Sequence, residues 1–276
     1  MKHIKLKEKP NFASFDEISK SYFDKEKSKF LNDNKVKIQG FIQEFSDSGS
    51  TLYDIKPKKW SDEDKDKLTN CYSKACSKAS KLIKSVHMNL EDADKGVCPF
   101  CGFSEEWHTD HFLPKSVFPE FSVYPKNLLP ICGKCNGRKH NLYITKKRCK
   151  PFFYPLIDLE SEPEFITAQA VKNEKGVVVI SFSISPDELS KDEYAIAKRQ
   201  FKRLDLNNRY RGQAISLFSK LSRHFSNKSL TLNAAFKIIE QNYNSSQIEE
   251  HKNHWKVVFY KSIYNKKTLP NIFNLK

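Results

Sequence analysis

Residues 98–141, CPFCGFSEEWHTDHFLPKSVFPEFSVYPKNLLPICGKCNGRKHN, gather the chemistry-bearing side chains of a 276-residue sequence. Cys98 with Cys101 and Cys132 with Cys135 form two CxxC pairs with thirty residues between them. Thiolates at this spacing grip one ion from the same side of a tight turn, and two such turns complete the tetrahedral sulfur set that suits zinc. With all four positions filled by protein, such a zinc is structural. The interval is longer than in a zinc ribbon, so the insert must fold into something of its own. It holds His108, Asp110 and His111, then Asn127, and Asn136, Arg138 and Lys139 follow directly past the second pair. A carboxylate, an imidazole and two amides this close to a thiolate staple raise the question of a second, reactive centre.

The order Asp110-His111, Asn127, Asn136 between and after paired zinc knuckles resembles the HNH, or ββα-metal, endonuclease family. The resemblance covers roughly forty-five residues. It implies two strands and a helix that present Asp110 and the Asn136 amide to a magnesium or manganese ion. His111 is then the general base that takes a proton from the attacking water, Asn127 holds the loop and orients the His111 ring, and Lys139 or Arg138 steadies phosphate oxygens. Since neighbouring strand residues point to opposite faces, a twisted strand end or a bulge is expected to bring Asp110 and His111 together. Several shorter stretches, FLPKS, FYPLID and LDLNNRYRG, together with the cysteine module, resemble the HNH nuclease subunit of Septu and retron anti-phage systems. That likeness implies an ATPase partner docked on flanking regions; the chain has no Gly-rich phosphate loop of its own.

Bulk composition agrees with an anionic partner. Lys and Arg number 48 against 33 Asp and Glu, a formal charge of +15. From Phe121 to Ile157 there is no acid but eight basic residues: Lys126, Lys134, Arg138, Lys139, Lys146, Lys147, Arg148 and Lys150. Neutralising phosphates releases counterions, so Lys134, Arg138, Lys139, Lys146, Lys147 and Arg148 are expected to contact nucleic acid, DNA by the family resemblance, with RNA left open. Two readings therefore stand: a metal-dependent endonuclease, and a non-catalytic zinc-dependent nucleic-acid or protein adaptor in which the Asp-His pair is incidental. Seven cysteines, four of them in CxxC pairs, suit a reducing compartment. The apolar runs are too short to span a bilayer, and the N-terminus lacks the apolar stretch of a secretion signal, so the expected location is cytoplasmic.

The elements that must position these residues read as α+β, predominantly helical. A helical region is expected over 1–94, the HNH module over 95–148, and a hairpin with helices over 149–276, the last serving as partner docking. Phe15, Ile18, Tyr22 or Phe23, and Phe30 repeat at helical spacing, and SDSGST at 46–51 reads as a loop. Ser61 caps a helix expected to run on through LIKSVHMNL, with Cys71 and Cys76 inside it. Residues 150–165, rich in Pro and aromatics, form an ordered loop, and FITAQAVK-NEKG-VVVISFSIS forms a β-hairpin. Helices follow Pro186, with Asn207 or Asn208 and Ser229 as caps and a last helix near 247–265. His251 and His254 are expected on its polar face, and His140 toward solvent or DNA.

Overall fold

A computed structural model describes residues 1–7, 15–22, 24–106, 108–226 and 230–275, apart from the side chains of 15–17. Phe23 and Ser229 lie outside the described residues, as does the side chain of Phe15. The chain is α+β and mainly helical, and it forms two compact units: His3–Phe100 with Ser104–Glu160, and Met1–Lys2 with Cys101–Phe103 and Ser161–Lys276.

The first unit begins with α1 (Phe15–Lys20), α2 (Lys25–Asp33) and α3 (Lys35–Ser48). The apolar spacing over 15–31 does not make one helix, because the Asp24 carboxylate accepts from Glu26 N and Lys27 N and starts a new one. SDSGST is not a loop throughout: α3 runs to Ser48, and a 3-10 turn covers Gly49–Asp54. Next come α4 (Asp62–Ser73), capped by Ser61 as its sequence indicates, and α5 (Ser77–Met88). These are two helices where the pattern suggests one. The chain leaves helical geometry at Lys74, and the Cys76 thiol caps α5 by accepting from Ala79 N. Cys71 is inside α4 and buried, whereas Cys76 sits at the break. Ile18, Leu31, Ile38, Leu68, Cys71 and Ala79 close a core beneath these helices.

β1 (His108–His111) and β2 (Leu128–Ile131) pair antiparallel, His108 opposite Ile131 and His111 opposite Leu128, and α6 (Gly133–Lys139) follows directly. The four pairs run without a bulge. Residues 150–165 form no helix, and Phe152, Phe153 and Tyr154 are buried.

In the second unit β3 (Ile166–Lys172) and β4 (Val178–Ile184) form the expected hairpin. Its turn is held by the Asn173 side chain, which accepts from Lys175 N and Val177 N. Among the described residues five helices follow: α7 (Lys191–Arg203), α8 (Leu206–Phe225), α9 (Leu232–Glu249), α10 (Trp255–Ile263) and α11 (Thr268–Phe273). The cap of α8 is Asp205, not Asn207 or Asn208; Asn207 instead accepts from Phe182 N of β4. The stretch near 247–265 is likewise interrupted. Asn253 turns inward to accept from Phe165 N and Ile166 N, and His254 caps α10. His251 is therefore half-buried and His254 buried at a helix break, not spread on a polar face. His251 Nε2 donates to Gly102 O, and the Tyr210 hydroxyl donates to Cys101 O, which fastens the turn after the first CxxC pair. Gly102 has φ +72°, and a Cβ there would stand 2.5 Å from His251 Nε2, so only glycine fits. Among the described residues no helix is long and apolar enough to cross a membrane.

Candidate metal and hydrolytic site

The sulfurs of Cys98, Cys101, Cys132 and Cys135 all lie within 4.8 Å of one another, and all four residues are buried. Sulfurs on a tetrahedral zinc stand about 3.8 Å apart, given Zn–S bonds of about 2.3 Å. The group is thus a soft, four-sulfur set that fits zinc with little closure. Cys132 caps α6, its sulfur accepting from Cys135 N at 3.4 Å, which is the turn a CxxC knuckle requires. His108 is not part of this set; it is exposed and leans on Gly133.

Immediately beyond, β1 delivers Asp110 and His111. The His111 ring lies 4.4 Å from the Tyr72 ring of α4, edge to face. Its Nε2 is 2.8 Å from Ser122 O. A carbonyl can only accept, so Nε2 carries the proton and the Nδ1 lone pair is left for chemistry. Burial outweighs that hydrogen bond and drives the His111 pKa down to about 4. The imidazole is therefore neutral, as a base must be. Ser122 fixes this arrangement, since its hydroxyl donates to Leu68 O of α4 while its carbonyl holds His111. Neither Tyr72 nor Ser122 is flagged by sequence spacing: Tyr72 lies far along the chain from His111, and Ser122 acts on it through a backbone carbonyl, which carries no residue-type signal.

A depressed histidine pKa has a signed consequence. Below about pH 6.5 the unfolded chain takes up a proton that the folded state refuses until about pH 4. The contribution to stability is complete above 6.5 and is lost as pH falls from there to about 4. In zinc-loaded protein without added magnesium, the NMR shifts of His111 should hold their neutral values down to pH 5. A midpoint near 6.5 would contradict the burial described.

Asn127 is fully buried between Leu113 and Phe121. Its Oδ1 accepts from Leu113 N at 2.8 Å, and its Nδ2 donates to Leu113 O at 2.9 Å and to Phe121 O at 3.2 Å. It ties the loop after β1 to the segment before Ser122, while the His111 ring itself is held by Ser122 O. Asn127→Ala strands three buried backbone groups, and a loss of about 3 kcal/mol in urea unfolding is expected; a loss under about 1 kcal/mol would mean water replaces the amide.

Lys139 is not a surface cation. It is buried, with Nζ 2.7 Å from Asp110 Oδ2 and 3.1 Å from His111 O. An ammonium fixed in this way is not presented to a phosphate. The ion pair meets Oδ2 off the line of a hydrogen bond, which leaves that buried oxygen without a well-aimed donor. Burial raises the Asp110 pKa against the pull of Lys139. Asn136, on α6, is half-buried, and its amide has no partner among the described residues. The Asp110 carboxylate and this amide are hard oxygen donors that fit magnesium or manganese. Lys134, Arg138, Lys146, Lys147 and Arg148 are exposed, as is His140.

No protein-family model matches the chain. No solved structure matches it either. Over 214 residues, 72% of each sequence, it is 28% identical to protein ea31 of Escherichia phage lambda. Over 81 residues it is 32% identical to Septu protein PtuB of Bacillus thuringiensis, a stretch that covers 28% of this chain and 30% of that one.

Proposed function

We propose that the protein is a metal-dependent endonuclease of the HNH type that hydrolyses DNA phosphodiester bonds in anti-phage defence, together with an ATPase partner. The observation that carries this reading is His111: neutral, its Nε2 proton committed to Ser122 O, its Nδ1 lone pair unassigned, and Asp110 beside it on β1. In this reading β1, β2 and α6 form a ββα-metal unit stapled by zinc through Cys98, Cys101, Cys132 and Cys135. His111 Nδ1 accepts the proton of the attacking water. Ser122 keeps the imidazole aimed while Asn127 holds the loop that carries it, and Asp110 with Asn136 would hold the catalytic cation. A bound magnesium or manganese supplies Lewis-acid stabilisation of the pentacoordinate phosphate and of the leaving 3′ oxygen. The exposed cations of 134–148 track the backbone of the nucleic acid. Partial similarity to Septu protein PtuB supports the defence role and, through it, a partner docked on the flanking regions.

The test is cleavage of supercoiled plasmid by the purified protein, and by the protein copurified from its own host, with and without magnesium or manganese. Magnesium-dependent nicking or linearisation is expected. No cleavage of DNA or RNA by either preparation would leave the adaptor reading, which the existing Asp110–Lys139 ion pair favours because it already neutralises the carboxylate. Asn136→Ala should raise the magnesium concentration needed for half-maximal cleavage about tenfold while zinc content stays at one per chain. An unchanged metal response would remove Asn136 from the ligand set.

A further inference from the structure

Two ammonium groups act electrostatically on His111, those of Lys139 and Lys115. Lys139 is committed to Asp110 and His111 O. Lys115, in the FLPKS stretch after β1, is held differently. Its Nζ donates to Ser73 Oγ at 2.9 Å and lies 4.7 Å from the centre of the Tyr72 ring, the ring that also packs against His111. Both holders are neutral. Among the described residues Lys115 has no carboxylate partner, although it is partly buried. A partly desolvated cation with only a hydroxyl and a π face around it lacks a counter-charge that an anion can supply.

We infer that Lys115, held by Ser73 and Tyr72 of α4, is the phosphate-binding residue beside His111, the role that the family resemblance gives to Lys139 or Arg138. The inference rests on the nuclease reading for its substrate class, a nucleic-acid phosphate, but not on catalysis. Tyr72 is a positioning residue for both partners: its ring packs edge to face with the imidazole, and it carries the ammonium on its π face. Thr109 hydrogen-bonds the Tyr72 hydroxyl and is itself 2.8 Å from His87 Nε2, so the platform is anchored in α5 as well as α4.

The experiment measures binding of the zinc-loaded full chain to a short DNA duplex and to single-stranded RNA by fluorescence anisotropy, without magnesium, between 50 and 200 mM salt. Each lost phosphate contact lowers the slope of log K against log salt by about one. Lys115→Met should bind several-fold more weakly at 50 mM, and its slope should be shallower by that amount. Its affinity should then fall about threefold less than wild type over the salt range. Lys115→Arg should restore both. Zinc content and far-UV circular dichroism check that each variant is folded; Lys115 is half-exposed, so no loss of fold is expected. A Lys115→Met protein with wild-type affinity and slope overturns the inference, as does a wild type that binds neither nucleic acid. A wild type that binds but never cuts, and loses one unit of slope on Lys115→Met, upholds Lys115 while ending the nuclease reading.

Discussion

His111→Ala should lower magnesium-dependent plasmid cleavage by about a hundred- to ten-thousand-fold, the range that a positioned general base supplies. The protein should stay folded and retain its zinc. The ring meets Tyr72 edge to face and Ser122 O through one hydrogen bond, contacts worth about 1 kcal/mol each. Removing the ring also removes a buried titratable group, so at pH 5 the variant should lose less stability relative to pH 7 than wild type does. Rate and stability thus move separately, which distinguishes a base from a packing histidine. A variant that cuts at more than about a tenth of the wild-type rate would end the assignment.

Cys132→Ser should have the largest effect on stability. Cys132 has two tasks: its sulfur belongs to the four-thiol cluster, and it caps α6. Serine can replace the cap, being a good N-cap residue, but not the soft thiolate. Apparent binding free energies for structural zinc are about 10–16 kcal/mol, larger than the whole stability of a typical domain at about 5–15 kcal/mol. Expected are loss of stoichiometric zinc and loss of the cooperative thermal transition, read by metal analysis and calorimetry. The fall should reach Asp110 and Lys139, since α6 carries the lysine that pairs with β1. Soluble, cooperative and fully active Cys132→Ser protein would show that the cluster is not a staple.

Local chemistry was legible where a residue acts on its near neighbours. Ser61 caps α4, and Asn173 with Gly176 closes the hairpin. The CxxC pairs bring their sulfurs together because each pair needs only one tight turn to do so. Helix breaks were harder to read. The pauses at Asp24, at Lys74 to Cys76 and at 250–254 leave the apolar periodicity nearly intact, and only side chains that cap the new helix reveal them. His251 and His254 show the same limit: three apart in sequence they suggest a helix face, yet a break between helices turns them inward.

By itself the sequence displayed the side-chain types: four thiols that suit a soft ion, a carboxylate, an imidazole and amides close to them, and a basic segment around them. The strand that carries Asp110 and His111 was expected from the family resemblance, and β1 is found there. Tertiary structure alone decided which nitrogen of His111 is available, that Lys139 is an internal counter-ion and not a surface contact, and that α4 brings Tyr72, Ser73 and the carbonyl of Leu68 to the site. The reason is distance along the chain. Spacing encodes what a turn, a helix or a strand places together, whereas proton position on His111 follows from a carbonyl eleven residues away across a loop, and burial and ion pairing follow from residues about thirty to fifty positions apart that meet only when the core closes.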